Sequence, residues 1–232
     1  MVDDSDYVIP CPNQALVRVR GGGQFPVHRI YCVGQNYADH AREMGSDPDR
    51  VPPFFFSKPA DAVSHAGQIP YPPKTEDLHH EVELVVAMGR AGQSIPEQTA
   101  LDHVYGYALG IDLTRRDLQL AARQSQQPWD MAKGFDQSAP LSEILPAADI
   151  GHPKDGSLEL RVNGELRQTA NLSQMIWRVP EIVTILSGYV ELMPGDLIFS
   201  GTPAGIGVLH PGDRLDARLG DLLELTFEIA GS

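Results

Sequence analysis

The sequence predicts an α+β fold dominated by short β-strands, and three observations carry that expectation. Of 232 residues, 22 are Gly and 19 are Pro, which interrupts the chain too often for long helices. Apolar residues fall in short runs, alternating or unbroken, bounded by turn-forming residues. Asn163-Gly164 separates two such runs, Leu158 to Val162 and Glu165 to Thr169, as a type I′ hairpin requires, because both positions tolerate positive φ.

Taken in order, Ala15 to Arg20 alternates apolar and basic residues and ends in Gly21-Gly22-Gly23, which reads as a half-exposed strand. Ile30 to Val33 is a short buried strand. Asn36, with Asp39 three residues on, has the form of a capping box opening a helix through His40 and Glu43 to Gly45. Beyond the Pro-bounded Phe54-Phe55-Phe56, the runs His80 to Met88 and Val104 to Leu113 read as strands, with a short helix from Pro96 between them. Thr114 to Arg123 has a helical pattern, and Pro180 to Leu186 suits a helix with Pro in its first turn. Leu197 to Phe199 and Leu222 to Ile229 are strands, and the two Pro-Gly-Asp triplets, at 194–196 and 211–213, are turns.

Bulk properties exclude several functions. With 42% hydrophobic and 21% charged residues the chain buries one substantial core, giving one main domain with an N-terminal appendage. A formal net charge of −13 without a Lys/Arg cluster argues against nucleic acid as a partner. The same charge repels an anionic substrate at long range, so such a substrate needs local cations in its pocket. Cys11 and Cys32 have no metal-type spacing and read as free buried thiols, in keeping with a reducing cytoplasm. The acidic start, Met1 to Asp6, is unlike a secretory signal, and no apolar run reaches membrane-spanning length.

Chemistry concentrates first at His79-His80-Glu81-Val82-Glu83. Residues two apart on a strand share a face, with roughly 6.6 Å of rise between them, so Glu81 and Glu83 converge on one cation or form a solvated face. Asp112 ends an otherwise apolar strand, where a carboxylate needs water, a cation or capping work to offset desolvation. Three carboxylates without Cys or regularly spaced His specify a hard cation, Mg2+ or Mn2+, rather than zinc.

Arg116 and Gln119 are three apart on one helical face just beyond Asp112, placed to orient a carboxylate and a carbonyl or to form surface ion pairs. His40 and Glu43 have the same spacing, which lets a carboxylate raise the basicity of an imidazole; most such pairs are simply surface residues. Lys133, among small and apolar neighbours, is a pocket cation or a snorkelling lysine. Phe199 to Gly207 is a strand and Gly-rich loop carrying Thr202, without the order of a dinucleotide or Walker loop. It is a substrate-facing loop or a tight structural turn.

Together these pieces resemble the fumarylacetoacetate hydrolase family from about Ile30 to the C-terminus. The matching segments are Gly34-Gln35-Asn36-Tyr37-Ala38-Asp39-His40, Lys58-Pro59, His80-Glu81-Val82-Glu83, Asp112 to Gln119, Lys133-Gly134-Phe135, Val162-Asn163-Gly164-Glu165 and Gly201 to Gly207. The resemblance implies a rolled mixed β-sheet with short flanking helices, a catalytic domain over 30–232 behind an N-terminal extension over 1–29, and a homodimer. It also implies Glu81, Glu83 and Asp112 as ligands of Mg2+ or Mn2+. His40 and Glu43 would activate water on a mobile lid, Lys133 would serve catalysis, and Arg116, Gln119 and Thr202 would bind substrate.

The runs Pro52 to Ala62 and Pro128 to Asp136 are most similar to the fumarylpyruvate-hydrolysing members of aromatic-acid degradation. The implied chemistry is hydrolysis of a 2,4-diketo acid, in which water deprotonated by His40 attacks the 4-carbonyl and pyruvate leaves as an enolate stabilised by the metal. Arg116 supplies the local cation that the net charge demands. Two alternatives stand beside it. One is decarboxylation or keto-enol exchange of oxaloacetate at the same metal site; the other is a non-catalytic ligand-binding role.

Overall fold

The structure, a computed structural model, describes residues 8–45 and 52–231. Mixed β-sheet dominates, with short flanking helices, as the sequence predicts. The central sheet has six strands: β12 (Leu145–Pro146), β9 (Val104–Ile111), β8 (Val82–Met88), β15 (Leu197–Phe199), β3 (Ile30–Val33) and β4 (Phe55–Lys58), in that spatial order. Its pairs are antiparallel except β15 and β3. A second sheet runs β14 (Glu165–Asn171), β13 (Ser157–Val162), β17 (Arg214–Leu219), β18 (Leu223–Ala230) and β6 (Gln68–Pro70).

The remaining strands form three smaller sheets. β7 (Leu78–His80) lies between β10 (Thr114–Arg115) and β16 (Gly207–Leu209), β5 (Val63–Ser64) pairs with β11 (Ala139–Pro140), and β1 (Leu16–Arg18) pairs with β2 (Gln24–Pro26). The helices are α1 (Ala38–Glu43), α2 (Arg116–Gln124), α3 (Asp130–Lys133), α4 (Ala147–Ile150) and α5 (Val179–Tyr189).

The central sheet is covered on both faces. Val82, Leu84, Val86 and Met88 of β8 join one core with Leu158 and Leu160 of β13, Leu225 and Phe227 of β18, and Ile182 and Leu186 of α5. Val85 and Ala87 point into a second core with Cys32, Phe199 and the N-terminal Val17, Val19 and Phe25. Every residue of β8 is therefore buried, and the solvated-face reading of the Glu81 run is ruled out.

Four local expectations are corrected. The run from His80 is not one strand: β7 ends at His80 and β8 begins at Val82, so the chain changes sheets at Glu81. Asn36 does not cap α1, whose N-cap is Tyr37 without a side-chain bond. Its buried amide instead donates to the carbonyls of Trp177 and Ser200, both at 2.8 Å, and accepts from Trp177 N–H at 2.7 Å. Those partners lie far along the chain, where a local capping rule does not reach. Helix α2 starts at Arg116 with Arg115 as its N-cap, leaving Asp112 free of capping work. Cys11 is exposed and only Cys32 is buried, both as free thiols.

The Asn163-Gly164 hairpin forms as expected, with φ of 53° and 81°.

Candidate active site and metal centre

The β8–β9 register sets Val82 opposite Ile111 and Glu83 opposite Gly110. At the same end of the pair the Asp112 N–H donates to the Glu81 carbonyl at 2.8 Å. Glu81, Glu83 and Asp112 consequently converge, each offering an oxygen within 4.8 Å of the others. All three are buried, Asp112 completely.

Their charges are met unequally. Lys133 Nζ donates to Glu81 Oε2 at 2.8 Å and Asp112 Oδ2 at 2.7 Å, and also to the Thr114 hydroxyl. Arg116 Nη2 donates to Glu81 Oε1. Lys58 Nζ lies 2.8 Å from Asp112 Oδ1, as an ion pair outside hydrogen-bond geometry, because that oxygen has no directed partner. Glu83 accepts Gly201 N–H at 2.6 Å, and among the described residues no basic group pairs with it.

The electrostatic response follows this inequality. Burial alone would raise the Glu81 carboxyl, but Lys133 and then Arg116 outweigh it and hold Glu81 below the usual carboxylate range. Burial, followed by the charges of Asp112 and Glu81, pushes Glu83 well above that range. Burial would likewise lower Lys133, but Asp112 and Glu81 raise it, so its ammonium is held.

A carboxyl with a raised proton affinity, an undirected buried oxygen on Asp112 and an all-oxygen donor set fit a hard divalent cation, which meets all three conditions at once. Glu81, Glu83 and Asp112 are the residues that would hold it.

One pocket is lined jointly by His40, Glu81, Glu83, Arg116, Gln119, Lys133 and Thr202. Arg116 and Gln119 are both 4% exposed, which rules out the surface-helix reading. Arg116 Nη1 donates to Gln119 Oε1, so the Gln119 amide N–H2 is left for a ligand. Lys133, at 2% exposed, is a buried cation rather than a snorkelling one.

His40 is buried on α1, and its Nδ1 lies 3.1 Å from Glu43 Oε2. The other oxygen of Glu43 accepts Gly205 N–H at 3.2 Å. Gly205 has φ of +94°, and a Cβ there would stand 2.1 Å from the Arg167 carbonyl oxygen, so only glycine presents its N–H in this way. The sequence-predicted dyad is thus fastened to the Gly-rich loop.

Thr202 lines the pocket with its hydroxyl hydrogen committed to the Val82 carbonyl at 2.9 Å. It also accepts Gln168 Nε2 at 2.8 Å, so a ligand meets a lone pair of Thr202 and not a donor. Gln168 Nε2 donates as well to the Pro203 carbonyl, and this fixes the amide: Oε1 must face Val82 N–H and His80 Nδ1, at 3.1 Å and 2.9 Å. His80 Nδ1 therefore carries the proton. Burial lowers the imidazole to about 4, against the Gln168 bond that raises it.

Sequence reasoning gave no role to Lys58 or Gln168. Lys58 donates to the carbonyls of Leu113 and Lys133 as well as pairing with Asp112; a Lys closing an aromatic strand before Pro59 was its available signal. Gln168, on a strand with exposed neighbours, offered none. The aromatic Phe54, Phe56 and Trp129 also border the pocket.

Comparison with known proteins shows what the chain is similar to over most of its length. Residues 29–230 match the profile of the fumarylacetoacetate (FAA) hydrolase C-terminal family. A crystal structure of fumarylpyruvate hydrolase from Pseudomonas aeruginosa, in complex with Mn2+ and pyruvate, is 45% identical with a TM-score of 0.95, covering 97% of this chain and 100% of that one. A Burkholderia cenocepacia structure, described provisionally as a fumarylpyruvate hydrolase, is 50% identical with a TM-score of 0.92, covering 97% and 99%. The human mitochondrial oxaloacetate tautomerase FAHD1 is 42% identical over 201 residues, which is 86% of this chain and 90% of that protein.

Proposed function

From the premise that the chain belongs to the fumarylacetoacetate hydrolase family, we propose that it hydrolyses the C–C bond of an acylpyruvate, fumarylpyruvate foremost, to a carboxylic acid and pyruvate. The observation that carries this reading is the place of His40. It is oriented by Glu43, buried, and in one pocket with Glu81, Glu83 and Lys133. The likeness to the Pseudomonas and Burkholderia proteins over nearly the whole chain supports the choice of substrate.

With Nδ1 donating to Glu43, the His40 Nε2 lone pair is the base that takes a proton from water. The hydroxide adds to the 4-carbonyl, the C3–C4 bond breaks, and the electron pair passes to the pyruvate fragment, which is protonated at C3 on release. Arg116 and the Gln119 amide orient the acidic head, and the Lys133 ammonium, its three N–H groups held by Glu81, Asp112 and Thr114, acts through its charge on the oxygen where negative charge develops. Glu81, Glu83 and Asp112 would hold a Mg2+ or Mn2+ ion, which would supply positive charge to the keto-acid head.

With the three carboxylates ionised, Lys58, Lys133 and Arg116 already balance them. A divalent cation then leaves the pocket net positive, suited to a dianionic keto acid in spite of the overall charge of −13. The second reading is keto-enol exchange of oxaloacetate, supported by relatives such as the human tautomerase, with decarboxylation of the same substrate beside it; both use the same groups without water attack.

The test incubates purified protein with Mg2+ or Mn2+ and either fumarylpyruvate or oxaloacetate. Stoichiometric fumarate and pyruvate from the first supports hydrolysis. Exchange or CO2 release from the second, with no cleavage of the first, moves the assignment to oxaloacetate. The same reading places a homodimer in the cytoplasm, without nucleic acid or membrane partners; no described helix is long and apolar enough to cross a membrane.

A further inference from the structure

Beside the pocket of His40 and Glu83 lies a second cavity of about 390 Å³. The two share four lining residues, Phe54, Phe56, Trp129 and Lys133. The two cavities are therefore neighbours, with Lys133 and Phe56 on the boundary between them, and an arm attached to a head at the carboxylate cluster extends towards the wider space. The only charged residues lining that space, among the described ones, are Asp130 and Lys133. The ammonium of Lys133 is committed to Glu81, Asp112 and Thr114, and the wall sets four aromatic side chains, Phe54, Phe55, Phe56 and Trp129, beside the polar Ser57, Gln127 and Asp130.

The aromatic groups are arranged as a unit. Phe54 and Phe56 meet Trp129 edge-on, with centroids 5.4 Å and 5.8 Å away. Phe54 is 41% exposed, and Phe56 and Trp129 are half-buried. Rings left uncovered together at the mouth of a polar pocket mark a place for a ligand.

Gly34 shows how closely Phe54 is seated. Its N–H donates to the Phe54 carbonyl at 3.0 Å, and a Cβ on Gly34 would fall 2.0 Å from the Phe54 ring. The backbone at Gly34 is bare where the ring crosses the pocket.

We infer that Phe54, Phe56 and Trp129 form an acyl subsite that selects a planar, conjugated acyl arm over a saturated arm of the same length and charge. The position of the head rests on the acylpyruvate reading above. An acyl arm conjugated with its ketone is flat and stiff, so it loses little torsional freedom on binding and presents a π-surface to the rings. A saturated arm reaches as far but offers neither advantage. Aromatic pairing beyond area burial corresponds to roughly a two- to tenfold difference in affinity.

The test measures binding calorimetrically with Mn2+ present, in a His40→Ala background that holds the ligand uncleaved. Fumarylpyruvate should bind about two- to tenfold tighter than succinylpyruvate. Trp129→Leu should erase that ratio and Phe54→Leu should reduce it, while oxaloacetate, which lacks the arm, binds as before. Equal affinity for the two diketo acids overturns the subsite, as does a preference that survives both substitutions. The unsubstituted chain, assayed for pyruvate release, reports separately on the reaction. Selective binding without pyruvate release leaves the subsite standing and removes the hydrolase reading; pyruvate release with equal affinities does the reverse.

Discussion

Glu43 and Gly205 are 162 residues apart in the chain, and the Gly205 N–H donates to Glu43 Oε1 at 3.2 Å while the other oxygen of the same carboxylate meets His40. One side chain thus orients the His40 imidazole and fastens α1 to the Gly-rich loop. Both tasks depend on a glycine whose Cβ would strike the Arg167 backbone.

From this arrangement, His40→Ala should lower kcat by about 10²- to 10⁴-fold, the usual contribution of a general base. Mn2+ affinity should be unchanged, because His40 pairs with Glu43 rather than with the carboxylate cluster. Glu43→Gln should lower kcat less while keeping the Gly205 bond. Steady-state kinetics set against Mn2+ calorimetry on the same preparations checks both, and a parallel loss of metal affinity in His40→Ala would count against the separation of roles.

Lys58 is buried, pairs with Asp112 and donates to two carbonyls. Lys58→Met keeps the bulk and removes the charge, stranding Asp112 and the Leu113 and Lys133 carbonyls. The expected cost is about 3–5 kcal/mol, as for other broken buried pairs. Urea denaturation of the metal-free protein measures it, and added Mn2+ should recover part of the loss by compensating Asp112.

Much of the fold was legible because local pattern decides it. Ile30–Val33 and Leu197–Phe199 are apolar runs between turns, and they pair with each other in the core. The Asn163-Gly164 hairpin follows from backbone chemistry alone. What stayed hidden was decided across the chain. The alternation of His80 to Met88 continues through Glu81, so nothing local shows that the strand breaks there and that β7 joins a different sheet. Asn36 looks like a helix cap, but its partners are 141 and 164 residues away.

The site was legible in its residue types and illegible in its supports. Arg116 and Gln119 stood out because they share a helical face just beyond Asp112, and Lys133 because its neighbours are small and apolar. Gln168 sits among exposed strand neighbours, and only the folded chain brings it to His80, Val82 and Thr202.

Acid stability reports on His80. Its imidazole is lowered to about 4 by burial, against about 6.5 in an unfolded chain. The unfolded state therefore binds an extra proton between these values, so stability is complete above about pH 6.5 and falls as pH drops towards about 4, by of order 3 kcal/mol. His80→Asn, whose amide retains a donor for Gln168, should flatten that part of the profile. Thermal melts across the window decide, and an unchanged slope in the variant would assign the acid sensitivity elsewhere.

Metal binding should release a proton from Glu83. Its carboxyl is raised well above the ordinary range, so the metal-free chain keeps that proton past the pH at which an unfolded Glu loses it, and is stabilised there. As pH rises towards the raised value this stabilisation is lost, while competition between proton and metal disappears. Apparent Mn2+ affinity should therefore increase with pH, by up to about tenfold per unit. Calorimetry in buffers of different ionisation enthalpy should count up to one proton released per metal; zero release at mildly acidic pH would contradict the raised carboxyl.

The central claim is that Glu81, Glu83 and Asp112 form one hard-cation site, and direct titration with Mn2+, followed by electron paramagnetic resonance of the free ion, tests it most directly. The unsubstituted chain should take up one tightly held Mn2+, and Glu83→Gln and Asp112→Asn should each lose that tight binding while remaining folded. Undiminished uptake by either folded variant would remove that residue from the ligand set, and undiminished uptake by both would contradict the site.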